Sequence, residues 1–166
     1  QSLDKLAQLQ AVYGTGEGEK GTRIKAVVGD ITQPNLGLDD AQISALQGKV
    51  DHFYHLAAIY DLSAPAEAQQ QANIEGTKNA IGCATAIKAG CFDMVSSIAA
   101  AGLYKGVFRE DMFDEARGLK NPYFNTKHHA ERLVREECTI PYRIYRPGMV
   151  VGHSKTGEID KIDGPY

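Results

Sequence analysis

Short apolar runs alternate with longer amphipathic ones along this chain. Arg23 to Val28, Val50 to Leu56, Phe92 to Ser96 and Tyr142 to Arg146 are runs of strand length, closed by Gly29-Asp30, Ala57-Ala58, Ser97 and Pro147-Gly148. Between them lie helical patterns. Leu3, Leu6, Leu9 and Val12 recur at near-helical spacing over residues 3–13, and Asp39 is placed to cap a helix over 40–46. A long helix is expected over 67–88 and another over 129–137. Strand–helix alternation predicts an α/β fold with a parallel sheet, and the continuous apolar character of 50–56 suits a strand covered on both faces.

Glycines also punctuate the chain. Gly14-Thr15-Gly16-Glu17-Gly18 looks like a phosphate cradle, but it follows a helix and precedes a strand, the reverse of that motif's context. Its glutamates would repel phosphate, so a turn is expected. Gly76 and Gly82 sit within the long helix, where glycine costs stability, and close helix-to-sheet approach would explain them.

Bulk properties narrow the function classes. A chain of 166 residues is one domain or part of one. A formal net charge of −3 gives nucleic-acid or membrane-surface binding no electrostatic support. No apolar run approaches the roughly 20 residues that span a bilayer. Cys83, Cys91 and Cys138 are odd in number and irregular in spacing, which fits free thiols in a reducing compartment better than disulfides or a zinc site. A cytoplasmic protein without metal is expected.

The candidate chemistry centres on Asn121-Pro122-Tyr123-Phe124-Asn125-Thr126-Lys127. Residues four apart share a helix face, so the Tyr123 phenol and the Lys127 ammonium project toward one small volume. A neighbouring cation favours phenolate, which would make Tyr123 a usable proton donor and acceptor. Alone, such a pair is usually a solvated surface contact. Upstream, the strand ending in Ser96-Ser97 puts hydroxyls at a carboxyl edge, where open α/β sheets bind ligands; a simple cap for the next helix is the plainer reading. Strand-Ser-Ser, Tyr-x-x-x-Lys and strand-Arg-Pro-Gly occur in that order.

With these motifs the chain resembles the extended branch of the short-chain dehydrogenase/reductase superfamily. Gly29-Asp30-Ile31, His55-Leu56-Ala57-Ala58, Asn73-Ile74-Glu75-Gly76-Thr77-Lys78-Asn79, Val95-Ser96-Ser97, Tyr123 with Lys127, and Arg146-Pro147-Gly148 carry the resemblance. Within that branch the wording is most like the fatty acyl-CoA and thioester reductases. The resemblance implies a doubly wound Rossmann domain and a nicotinamide cofactor, NADP or NAD, with a slight lean to NADPH. It implies catalytic roles for Ser97, Tyr123, Lys127 and Asn73. Cofactor contacts would come from Asp30 and Ile31 at the adenine, from Leu56, Ala57 and Ala58 at the ribose and pyrophosphate, and from Ser96, Tyr123, Lys127, Pro147 and Gly148 near the nicotinamide. Asp30 reads equally well as a turn residue, Asn73 as a polar residue on a half-buried helix. His55 reads as a strand-end histidine satisfied by backbone.

In the strand order 3-2-1-4-5-6, the four expected strands correspond to the third through sixth. The first two strands and the glycine-rich turn have no counterpart. The chain is therefore expected to be a partial Rossmann domain, with residues 150–166 opening a substrate-binding portion and the natural protein extending on both sides. The charged stretch from Gly102 to Pro122 is expected to wall the substrate cleft. The partner would be a small carbonyl or acyl substrate, and a homodimer is compatible with such a domain. Rival readings are a nucleotide-sugar epimerase or dehydratase with retained NAD, a steroid- or flavonoid-type dehydrogenase, and a non-catalytic dinucleotide sensor.

Overall fold

The computed structural model describes residues 7, 10–11, 24–59, 65–149 and 151–159. Three parallel strands form its sheet: β1 (His52–His55), β2 (Cys91–Val95) and β3 (Tyr142–Tyr145), in the order β1-β2-β3. His52 lies opposite Cys91 and Phe92 opposite Tyr142, so the registers run level. Helix α1 (Asp40–Leu46) begins with a reciprocal capping box, Asp39 accepting from the Gln42 amide and the Gln42 side chain accepting from the Asp39 amide.

The crossover from β1 to β2 is helical from Ala66 to Ala86, close to the expected 67–88, but not uniformly so. Helix α2 (Ala66–Gln70) passes into a π-turn (Gln71–Glu75), and helix α3 (Gly76–Ala86) follows. Helix α4 (Pro122–Glu137) starts seven residues before the 129–137 segment, because Asn121 caps the Tyr123 amide and Pro122 suits the first helical position.

Alternation along the strands separates two faces. Phe53, Phe92, Met94 and Ile144 pack with Ala80, Ala84, Ala130 and Val134 of α3 and α4, and the Phe53 and Phe92 rings stack at 5.6 Å. On the other side, buried Asp93 accepts from the Tyr145 hydroxyl at 3.0 Å, meets His52 Nδ1 at 2.9 Å and has Arg143 3.6 Å away. Burial pushes its carboxyl up, but these donors outweigh burial and hold it below the usual carboxylate range. The cysteines are free.

The expected strand over 23–28 is corrected. Residues 24–28 join no ladder, and Val28 is 90% exposed. In the doubly wound order two other strands separate this segment from β1, so the two cannot pair directly. Gly76 and Gly82 also differ from expectation. Gly76 is crowded by the Ile31 side chain rather than by the sheet, and nothing approaches Gly82. Of residues 3–13, the described ones, 7, 10 and 11, are helical, and the Gln10 side chain reaches the Ile24 carbonyl. The Gly14–Gly18 segment lies outside the described residues, as do 60–64 and 160–166.

The stretch after β2 turns sharply. A 3-10 turn (Ile98–Ala101) leads to Gly102, which bridges to Arg117 at φ 63° with the Arg117 carbonyl against its α-carbon. The rest of this loop is tied down by Arg146, whose guanidinium donates to the Met112 and Arg109 carbonyls and pairs with Glu131 of α4. Glu131 is fully buried and also accepts from Arg135 and from the Ser96 hydroxyl. Charges at the loop's outer edge stay in solvent, as in the Arg109–Asp111 pair. Removing one member of a buried ion pair strands the other. Glu131→Leu is therefore expected to cost about 3–5 kcal/mol in urea unfolding, with Glu131→Leu/Arg146→Leu costing less than the sum of the single changes. A loss under about 1 kcal/mol for Glu131→Leu would contradict this assignment.

Candidate functional site

The carboxyl ends of all three strands lie at one edge of the sheet, and most of the candidate residues gather there. After β1, Leu56, Ala57 and Ala58 are exposed. After β2 come Ser96 and Ser97, and after β3 the half-buried Pro147 and the exposed Gly148. Backbone ties hold the last two groups together: the Ser96 amide donates to Tyr145 and the Ile98 amide to Pro147. Ser97 and Pro147-Gly148 are thus neighbours across the β2–β3 ladder.

The two serines diverge. Ser96 is buried and spends its hydroxyl on Glu131 at 3.2 Å, beneath α4. Ser97 is half-buried and caps the 3-10 turn, its oxygen accepting from the Ala99 amide at 3.1 Å. That turn packs against α4, the helix carrying Tyr123 and Lys127. Both of those side chains are only 5% exposed, so the pair is not a solvated surface contact. Burial lowers the Lys127 pKa, because the interior penalises the ammonium form.

Asn73 stands in the π-turn, a feature often found at functional positions. Its amide oxygen accepts from the Ile59 amide at 2.8 Å, and its nitrogen donates to the Thr126 hydroxyl at 3.2 Å. Thr126 in turn donates to the Tyr123 carbonyl at 3.2 Å. Asn73 is thereby tied to the helical turn that holds Tyr123 and Lys127.

Asp30 and Ile31 stand apart from this cluster. Asp30 is exposed and closes an Asx turn, with Oδ1 accepting from both the amide and the hydroxyl of Thr32, which together lower its pKa. Ile31 packs on Gly76 and its carbonyl accepts from the Asn79 side chain, so the pair is docked where α3 begins.

Three features escaped sequence reasoning. The π-turn leaves no compositional mark. Thr126 sits inside the Tyr-x-x-x-Lys spacing, where only its neighbours drew notice. His55 is satisfied by the Thr77 hydroxyl at 2.9 Å rather than by backbone. Its pKa is lowered to about 4, by burial first and by the charge of Lys127 second.

The match to a family model and to related reductases identifies the chain as a member of the extended short-chain dehydrogenase/reductase superfamily, in its fatty acyl and thioester reductase-like group. The chain belongs to the NAD-binding family described as male sterility protein, which matches residues 2–166. It is 34% identical to a linear gramicidin synthase polypeptide of Brevibacillus parabrevis over 98% of this chain and 3% of that protein. It is 28% identical to the large polypeptide of the L-2-aminoadipate reductase of Candida glabrata, over 97% of this chain and 13% of that one. Among solved structures, the terminal R domain from the myxalamid PKS-NRPS biosynthetic pathway superposes with a TM-score of 0.67 at 34% identity. That superposition covers 78% of this chain and 34% of the R-domain chain. The chain thus spans a minor part of the length of each of these proteins. Among the described residues no helix is long and apolar enough to cross a membrane.

The depressed His55 pKa has a stability consequence. Between the ordinary histidine value near 6.5 and about 4, the unfolded chain binds a proton that the folded chain refuses. Stability contributed by neutral His55 is therefore present above about pH 6.5 and lost as pH falls toward 4, by up to about 3 kcal/mol. In urea unfolding, the stability difference between wild type and His55→Gln is expected to shrink over that window. A difference independent of pH would show that His55 titrates normally.

Proposed function

We propose that this chain is part of an NAD(P)-dependent reductase acting on a carbonyl or acyl thioester, with Ser97, Tyr123 and Lys127 as its chemical groups and Asn73 supporting them. The observation that carries the proposal is the burial of Lys127 one helical turn from buried Tyr123, on the helix against which the Ser97 turn packs. An ammonium in a dry setting acts strongly on a neighbouring phenol, since little solvent screens it.

The strand ends suit a dinucleotide. Ala57, Ala58 and Gly148 expose backbone with at most a methyl group in the way, and Leu56 and Pro147 flank them. Asp30 and Ile31, docked where α3 begins, would meet the adenine. A bound nicotinamide would supply the hydride. As hydride reaches the carbonyl carbon, negative charge grows on its oxygen. Ser97 donates a hydrogen bond to that oxygen, and Tyr123 delivers the proton that completes the alcohol or hemithioacetal. Lys127 would stabilise the phenolate left behind and would hold the nicotinamide ribose. Kinship with an aminoadipate reductase supports a reductase over a sugar epimerase, and the slight lean to NADPH rests on the resemblance to the acyl and thioester reductases alone.

The test uses the full-length natural protein. NADPH and NADH oxidation is followed with acyl thioesters, aldehydes and sugar nucleotides, for wild type and Tyr123→Phe. Loss of general acid catalysis is expected to lower kcat by about 10²–10⁴-fold in the variant. Undiminished turnover would remove Tyr123 from the mechanism, and conversion of sugar nucleotides alone would assign the protein to the epimerase or dehydratase class.

A further inference from the structure

We infer that His55 and Thr77 are positioning residues for this site, forming with Asn73 and Thr126 one buried hydrogen-bond chain that runs from the end of β1 to the backbone of Tyr123. The inference rests on the reductase reading and names residues which that reading does not use.

The direction of the chain follows from its donors. Thr77 Oγ1 lies 2.7 Å from the Asn73 carbonyl, and a carbonyl can only accept, so the single hydroxyl proton of Thr77 is spent there. The contact between Thr77 Oγ1 and His55 Nε2 at 2.9 Å must then be donated by the imidazole. His55 is held as the Nε2–H tautomer, with Nδ1 unprotonated. Beyond Asn73 the sequence repeats: its side-chain nitrogen donates to Thr126, and Thr126 donates to the Tyr123 carbonyl. Each threonine accepts one bond and passes one on. All five residues are 6% exposed or less.

The π-turn explains why Thr77 is needed. The Gly76 amide reaches back five residues to the Gln71 carbonyl, so the helical ladder is out of step through this turn. The Thr77 hydroxyl adds a bond from position i+4 to the Asn73 carbonyl within that stretch. Asn73's side chain is meanwhile fixed on both polar groups of Ile59, at 2.8 and 3.4 Å. The chain thus holds the Asn73 backbone through Thr77 and its side chain through Ile59 and Thr126. Neutral His55 also spares Lys127 a second buried cation beside it.

The experiment again uses the full-length natural protein. Thr77→Val keeps the shape and removes the hydroxyl; Thr77→Ser keeps the hydroxyl. Small misplacement of reacting groups costs up to about 100-fold in rate. Thr77→Val is expected to lower kcat about ten- to a hundred-fold, with KM and the dissociation constant for the reduced cofactor within about threefold of wild type. Thr77→Ser is expected to restore kcat to within about threefold. Nitrogen-15 NMR of histidine-labelled protein gives an activity-independent readout: His55 as the Nε2–H tautomer in wild type, and free to exchange tautomers in Thr77→Val. Unchanged kcat in Thr77→Val overturns the inference. So does a serine variant as impaired as the valine one, a rate loss fully accounted for by unfolded protein, or an Nδ1–H tautomer in wild type. If Tyr123→Phe turns over normally, the reductase reading fails instead; an inactive Tyr123→Phe beside a fully active Thr77→Val sinks only the positioning role.

Discussion

A single carboxylate fastens the side of the fold that carries the candidate site. Glu131 has no exposed surface, yet it takes hydrogen bonds from Ser96 on the sheet, Arg135 on its own helix and Arg146 from the end of β3. An ionised group in such a place is tolerable only when every lone pair is answered. Satisfying it fixes α4 against β2 and β3, and so fixes the height of Tyr123 and Lys127 relative to Ser97. The same guanidinium that answers Glu131 reaches on to the Met112 and Arg109 carbonyls. Phe108 lies 5.1 Å beneath it, while the Phe113 ring stacks on His128 at 4.2 Å under the Arg135 guanidinium. The charged loop is thereby tied to β3 and α4 at several points.

Much of the fold was legible because it follows from periodicity. β1, β2 and β3 fall within a residue or two of the apolar runs, and Asp39 starts α1 as its side-chain chemistry requires. The 23–28 run misled for an instructive reason. β-branched residues describe a segment that fits a ladder, but a ladder needs a neighbour, and among the described residues Val27 and Val28 have none. The 129–137 segment also fell short of the start of α4, because Asn121 and Pro122 are favourable at a helix's first turn and carry it back to Pro122.

The site was readable in its outline and opaque in its wiring. Spacing alone put Tyr123 and Lys127 on one face, and the strand-end serines gave the sheet edge. Alternation with Phe92 and Met94 sets Ser96 apart from Ser97, but nothing in the sequence says that Ser96 meets Glu131, thirty-five residues on. Nor does it say that His55 meets Thr77. Both pairings are created by the crossover packing, and local sequence carries no record of a partner brought in from another element.

The π-turn has a geometric effect that its hydrogen bonds do not express. One extra residue in a helix advances everything beyond it by about 100° around the axis relative to everything before. Ala66 to Gln70 and Gly76 to Ala86 therefore obey two different phases of the same screw. The second phase buries Ala80 and Ala84 on the sheet, while the first turns Gln69 inward near α4. Asn73 sits at the joint, where neither phase rules. An insertion or deletion there would act as a rotational frameshift, turning half the crossover by about 100° against the core while leaving its composition almost untouched.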